Sequence, residues 1–377
     1  MSSLFSTPTS QTSRYWTLDA IRGLAVLAVV CFHVLPSFEG NTHLPDSSTV
    51  WLSWLQPGGV LGVSIFFVLS GFSIHLSQAR KLATQEIIRQ SWSKFFWRRI
   101  LRLYPAYLGA IGLAVALNVT WALIRGRNPW LFLPSIWDIL SHLLLLHTLN
   151  PDTFFGIIPA LWFIGVQVHF YLLYPLFYWL IQRWNIDRSL LIVLVCTLAF
   201  RLLSQSLILP STAHPQFELV IWMNAPQRWF EWCFGAWIAH QVAQGRRLHF
   251  KYGWVIFFLI IFWISTASNV KVLYEPILSG LVGFLILCVV TQENRLQTHC
   301  YILRPILYLG KISYPVYLLH QIFVPYIKSA IPPNLLNAAG LFVVTLGLVM
   351  VITLPLATCF HYWLELPFSK LKPKLKT

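Results

Sequence analysis

The stretch Leu18–Leu35, LDAIRGLAVLAVVCFHVL, is long enough to cross a bilayer as one helix, yet it carries an aspartate, an arginine and a histidine. An ionisable side chain in hydrocarbon costs at least ~2.5–3.5 kcal/mol on insertion scales, so Asp19, Arg22 and His33 require a reason to be there. Arg22 and His33 are eleven positions apart. That is about three turns, which puts them roughly 20° apart around the axis and ~16 Å apart along it. Asp19 lies on the same side, and such a polar stripe belongs against a bundle interior or a wet cavity. The plainer alternative is an i,i+3 ion pair of Asp19 with Arg22 at one membrane surface and an interfacial His33 at the other.

The rest of the composition agrees with a membrane setting. Of 377 residues, 57% are hydrophobic and 10% charged, against ~25% charged in a typical soluble domain. Eighteen Trp and fourteen Tyr suit the aromatic belts of two membrane interfaces. The net charge of +15 sits in short stretches between apolar runs, where it sets orientation, so no nucleic-acid partner is expected. The six cysteines are scattered with no CxxC pair, so neither a disulfide framework nor a metal site is indicated.

Apolar runs of membrane length fall near 18–36, 59–79, 105–124, 161–182, 189–209, 220–241, 253–269, 275–291, 305–328 and 338–363. Residues 37–58 hold Glu39 and Asp46 without Lys or Arg, whereas 80–102 carry Arg80, Lys81, Arg89, Lys94, Arg98, Arg99 and Arg102. By the positive-inside rule the second loop is cytoplasmic. Ten spans put the later basic clusters on that same side, with both termini cytoplasmic. Trp130–Leu149 is apolar enough to be an eleventh, but counting it would turn either the 80–102 loop or the Arg183 region outward. The expectation is therefore an all-α polytopic membrane helical bundle of about ten transmembrane helices, plus one re-entrant or interfacial helix at 130–149. Residues 1–17 read as a disordered tail, 18–369 as the membrane domain and 370–377 as a basic cytoplasmic tail. The two halves show no repeat, which counts against an inverted-repeat transporter.

Several motifs carry groups able to do chemistry. GVLGVSIFFVLSGFSI (Gly59–Ile74) mixes small residues into an apolar helix, which on its own means close helix packing. WRRILRLYPAY (Trp97–Tyr107) is expected to end the basic loop at Pro105; Arg98, Arg99 and Arg102 read as a phosphate site or as topology anchors. In PALWFIGVQVHFYLLYPL (Pro159–Leu176), Gln167 and His169 are two positions apart and point about 160° from one another, so they cannot line one cavity equally well. Arg228 and Glu231, at i,i+3, suggest an intramembrane ion pair. Ser313, Tyr317 and His320, at i, i+4 and i+7, share a helical face. At 1.5 Å per residue His33, Gln167 and His320 would lie ~5, ~9 and ~12 Å below the outer ends of their spans, which predicts that they converge there. The GxSxG, HExxH, Walker and dinucleotide motifs are missing, which leaves a histidine base in a membrane cavity with arginine beneath it.

In their order, six segments resemble the acyltransferase-3 family of bacterial integral-membrane acyltransferases. They are the Arg22-x10-His33 pair, GVSIFFVLSGFSI, RRILRLYPAY, LWFIGVQVHFYLLYPL, LGKISYPVYLLHQ and the closing HYWLELPF (His361–Phe368). The resemblance implies transfer of an acetyl or other short acyl group from cytoplasmic acyl-CoA, acetyl-CoA foremost, to a hydroxyl of a surface glycan, lipid or small-molecule metabolite. It implies the bacterial inner membrane, with membrane lipids as surroundings, acyl-CoA as co-substrate and no tightly bound cofactor.

On that basis His33 is expected to be the base, with Arg22 orienting it or contacting the donor. Arg98, Arg99 and Arg102 would hold CoA phosphates. Asp19, Gln167, His169, Ser313 and Tyr317 would line the cavity, and Tyr317 and His320 would attend the developing oxyanion. The chain departs from the family where Gln167 and Val168 stand in place of a common glutamate. A glutamine exchanges no proton but both donates and accepts hydrogen bonds. Two other readings stay open, a proton-coupled transporter or flippase and a catalytically inactive relative. The family's fused esterase-like domain is not expected here, so this chain or a separate partner would complete the transfer.

Overall fold

A computed structural model describes residues 15–36, 50–84, 90–208, 217–246, 271–291, 303–332 and 335–371, and all of their regular structure is helical. The main helices are α1 (Trp16–Val34), α2 (Val50–Ser53), α3 (Gly58–Ala83), α4 (Trp92–Ile124), α5 (Ile136–Leu143) and α6 (Pro151–Phe154). There follow α7 (Trp162–Arg183), α8 (Ile186–Ile208), α9 (Phe217–Met223), α10 (Ala225–Ala243) and α11 (Lys271–Thr291). The last are α12 (Arg304–Lys311), α13 (Ser313–Ala330), α14 (Ala338–Phe360) and α15 (Leu366–Ser369).

Among the described residues, six helical stretches are long and apolar enough to cross a membrane: Trp16–Val34, Trp51–Ala83, Trp92–Ile124, Pro159–Arg183, Val272–Thr291 and Ala338–Ser369. The expected count of ten is therefore not established. The runs at 189–209, 220–241 and 305–328 are helical but interrupted or polar. Arg201 is buried within α8, Asn224 divides α9 from α10, and Ile312 divides α12 from α13. The expected span at 253–269, residues 1–14 of the expected tail and the basic residues from 372 onward lie outside the described residues.

Two expectations change. Residues 80–102 are not mainly a loop, because α3 runs to Ala83 and α4 starts at Trp92. Arg98, Arg99 and Arg102 therefore ride on a helix that continues through Pro105, in contrast to a break there. Proline inside a helix loses a backbone bond, which a membrane bundle tolerates where neighbours supply partners. Two residues before Pro105, the Leu103 carbonyl accepts from the Tyr314 hydroxyl at 2.7 Å, which ties this stretch of α4 to α13. Residues 130–149 form no single helix but a 3-10 turn Pro129–Phe132, the short α5 and a second turn His147–Leu149. Tyr104 and Tyr107 of α4 pin this segment by donating to the carbonyls of Leu143 and His142.

α1 and α3 pack together, and α3 lies against α10 and α11 while α1 also meets α12 and α13. Small residues set these approaches. A Cβ at Gly310 would collide with the Asp19 carbonyl, and one at Gly71 with the Trp232 carbonyl, so α1–α12 and α3–α10 cross with backbones nearly touching. Three buried charges and the half-buried Glu275 tie α8, α10 and α11 together. Arg201 pairs with Glu275, Arg228 with Glu275 at 3.2 Å and with Glu231 at 2.7 Å, and Arg228 also donates to Ser64 of α3. Two cations and two anions cancel, the condition under which ions persist in a low-dielectric interior.

Candidate functional site

Where α1, α3, α4, α7, α12 and α13 meet the closing turns lies a cavity of about 620 Å³, inside the ~300–1,000 Å³ range of small-molecule sites. Its wall includes Arg22, Arg98, Arg99, Arg102 and Lys311, against the carboxylates Asp19 and Glu365. Both carboxylates are engaged. Asp19 accepts from Arg22 at 3.0 Å, and Glu365 is 2.7 Å from His361 Nδ1. The wall thus presents Arg98, Arg99 and Arg102 as uncompensated cations, a field suited to an anion. The Arg99 guanidinium lies 5.4 Å over the Phe95 ring and its buried Nε has no protein partner among the described residues. Gln167 Oε1 and His361 Nε2, in the same wall, are likewise buried without a partner there.

Arg22 is fixed by two neighbours, since its second nitrogen donates to Ser73 on α3 at 2.9 Å. Three residues further along α3, Ser70 accepts from Gln167 Nε2 and from Trp232 Nε1, the latter at 3.2 Å. With both lone pairs of its oxygen occupied, the Ser70 hydroxyl has its own proton left to donate into the cavity. Gln167 thus acts as a strut for Ser70.

His33 and His320 meet behind this wall. His33 Nδ1 is 2.9 Å from the Val29 carbonyl and 3.1 Å from His320 Nε2, and the two rings are 4.9 Å apart. His320 Nδ1 is 2.7 Å from the Tyr317 carbonyl. A carbonyl only accepts, so each Nδ1 carries a proton. His320 Nε2 then accepts, so His320 is a neutral imidazole, and the neutral form of His33 has its lone pair at Nε2. Tyr317 separates the pair from the cavity, with its ring 5.6 Å from that of His320.

The structure thus gathers Asp19, Arg22, Arg98, Arg99, Arg102, Gln167, Ser313 and Tyr317 around one space. It separates the others. His33 and His320 do not line the cavity, and Gln167 does not join them, because it turns toward Ser70. His169, on the opposite side of α7 as the helical period requires, lies against the Leu145 backbone near His147. Arg22 does not orient His33; Val29 and His320 do so, ~16 Å along the bundle from Arg22. The Tyr317 hydroxyl is occupied by the Ala160 carbonyl at 2.9 Å, so Ser70 is the available donor in place of Tyr317.

The sequence gives Ser70 and Ser73 a helix-packing role only, and assigns no part in the site to Lys311 or to the His361–Glu365 pair. The serine spacing at i, i+3 and i+7 through Ser77 was a legible signal, and His361–Glu365 is an i,i+4 pair. The latter is seated in a π-helical turn, His361–Glu365, that no periodicity announces. Lys328, also unread, donates to the Leu35 carbonyl at 2.7 Å and closes the C-terminus of α1 beside His33.

A family model described as an acyltransferase domain matches residues 15–361. The chain belongs to this acyltransferase family. Among curated proteins, it is 30% identical over 189 residues to the peptidoglycan O-acetyltransferase OatA of Listeria monocytogenes, covering 48% of this chain and 26% of that protein. To the O-acetyltransferase OatA of Staphylococcus aureus it is 31% identical over 196 residues, covering 48% of this chain and 28% of the relative. To the regulator of hypoxia-inducible factor 1 of Caenorhabditis elegans it is 28% identical over 186 residues, or 46% of this chain and 36% of the relative. The chain thus spans about a quarter to a third of the length of these relatives. No solved structure matches it.

Proposed function

We propose that the protein is a membrane O-acyltransferase that moves an acetyl or other short acyl group from acyl-CoA to a hydroxyl of a surface glycan, lipid or metabolite. The observation that carries this reading is the cavity itself, whose Arg98, Arg99 and Arg102 form no ion pair among the described residues, the wall's Asp19 and Glu365 being engaged by Arg22 and His361. Guanidinium forks match phosphate oxygens, and the nucleotide end of CoA is the most anionic part of the donor. The relatives named for O-acetyl transfer support the reaction class. The positive-inside rule puts the arginine end of the cavity at the cytoplasm of a bacterial inner membrane, where acyl-CoA is made, and the His33 end outward.

In this reading the phosphates lie on Arg98, Arg99 and Arg102, and the thioester carbonyl accepts from the Ser70 hydroxyl. His33 Nε2 takes the proton of the acceptor hydroxyl as its oxygen attacks the acyl carbon. The tetrahedral oxyanion is stabilised by Ser70. The carbon–sulfur bond then breaks, the ester forms, and the CoA sulfur leaves with the proton that His33 took up. The ring of Tyr317 closes that end of the cavity in this structure and swings aside once the acceptor is bound, for carbon and oxygen to meet. That motion gives up its hydrogen bond to Ala160 and its packing against Phe66, Phe163 and His320.

Purified protein in lipid nanodiscs, given labelled acetyl-CoA and a panel of glycans and lipids, is expected to yield a labelled ester and free CoA. Transport of a panel compound into sealed vesicles with no ester formed would replace this reading with the flippase.

A further inference from the structure

The cavity changes character along its length. On α3 its wall passes Ser77, Ser73 and Ser70 and ends at Leu69 and Phe66, about 16 Å from first to last at 1.5 Å per residue. The arginines stand toward the Ser77 end: Arg99 lies over Phe95, Phe95 packs on Tyr174 at 5.3 Å, and the Tyr174 hydroxyl is 3.0 Å from His75 Nδ1 of α3. At the other end three rings close on one another. Phe66 is 5.9 Å from Phe163 and 6.2 Å from Tyr317, and Phe163 is 4.9 Å from Tyr317. Phe67 stacks on Phe163 from behind at 4.8 Å, and His320 backs Tyr317; both are fully buried, so this end has no spare volume.

A space that is cationic at one end, offers a hydroxyl donor two-thirds of the way along and ends in aromatic carbon suits a ligand of the same order: phosphates, a carbonyl, a short alkyl group. We propose that Phe66, Phe163 and Tyr317 are the floor of an acyl pocket and set the longest acyl chain the enzyme accepts, at about four carbons. This rests on acyl-CoA being the donor. Ser70 marks the position of the thioester carbonyl, so the room between Ser70 and the rings is what remains for the chain. The distance from Ser70 to Phe66 is four residues, about 6 Å along α3. Beyond the floor lies His320, so a longer chain would also press on the histidine pair.

The test is a binding competition that needs no acceptor. Tritiated acetyl-CoA bound to the full chain in nanodiscs is displaced by unlabelled acetyl-, butyryl-, hexanoyl- and octanoyl-CoA. The native protein is expected to bind hexanoyl-CoA at least tenfold more weakly than butyryl-CoA. Phe66→Ala should raise the affinity for hexanoyl-CoA relative to acetyl-CoA by on the order of tenfold, the gain from two further methylenes finding apolar room. Phe66 is only half-buried, so its truncation spares the core; Phe163→Leu, which keeps an apolar group against Phe67, gives an independent opening of the same floor. A native protein that binds hexanoyl- and acetyl-CoA equally, or two variants with the native chain-length profile, would overturn the acyl ruler while leaving acyl-CoA as donor. Failure of the native protein to bind acetyl-CoA at all would remove both.

Discussion

Replacing His320 separates a base from the residue that positions it. His33 Nδ1 has two partners, the Val29 carbonyl at 2.9 Å and His320 Nε2 at 3.1 Å, while its Nε2 carries the free lone pair. His320→Phe keeps a ring against Tyr317 and removes two neutral hydrogen bonds, its own to the Tyr317 carbonyl and the one from His33 Nδ1, of which the second positions the base. At a net ~0.5–1.5 kcal/mol the loss corresponds to roughly two- to twelvefold in turnover, since ~1.36 kcal/mol is tenfold. His33→Ala removes the base, for which ~10²–10⁴-fold is expected. The two variants should therefore differ by at least about tenfold in kcat, with KM for acetyl-CoA little changed in either, because neither side chain lines the cavity. Initial rates of ester formation from labelled acetyl-CoA in nanodiscs measure both constants, and thermal melting confirms that each variant is folded. A His320→Phe protein as inactive as His33→Ala, with a native melting temperature, would transfer the base to His320. Near-native turnover of His33→Ala would remove the pair from the mechanism.

Arg99→Gln together with Arg102→Gln should raise KM for acetyl-CoA about tenfold or more, and raise it less for an acyl thioester that lacks the nucleotide; equal effects would make these arginines topology anchors. Ser70→Ala should lower kcat by roughly 10²–10³-fold with KM held, as the loss of an oxyanion donor does. A change in KM alone would limit Ser70 to binding. Glu275→Gln leaves Arg201 and Arg228 with only Glu231 between them, at a cost of ~3–5 kcal/mol, seen as a lower melting temperature; an unchanged melt would show that the ion network is neutral to stability. In the segment that follows α5, burial pushes the His147 imidazole down to about 3 from its usual 6.5, with the ring of His142 stacked 4.1 Å away. The unfolded chain gains that proton first, so stability falls as pH drops below 6.5, by about 2 kcal/mol at pH 5. His147→Phe, which keeps the stack, should lose less of its melting temperature between pH 7.5 and pH 5 than the native protein; identical losses would clear His147.

The helical class, the membrane setting and the residues out of place in hydrocarbon are all legible in the chain before it folds. These follow from composition and local periodicity, and an ionisable group within an apolar run is conspicuous wherever the chain goes. The i,i+3 pairing of Asp19 with Arg22 and of Arg228 with Glu231 was legible for the same reason, since helix geometry alone brings such side chains together. The opposed directions of Gln167 and His169 also followed from the helical period.

Which polar groups share a space is a matter of helix packing. His33 meets His320 across 287 positions, and Gln167 meets Ser70 across 97, contacts set by where helices cross. Those crossings depend on small residues such as Gly71 and Gly310, whose role appears only once the backbone they must admit is in place. The same holds for Tyr317. Helical periodicity puts it on one face with Ser313 and His320, but the packing of α13 makes its ring the partition between them, with the cavity and Ser313 on one side and the histidine pair on the other. A one-dimensional pattern records which face a residue occupies, and what that face meets is decided by the neighbouring helices.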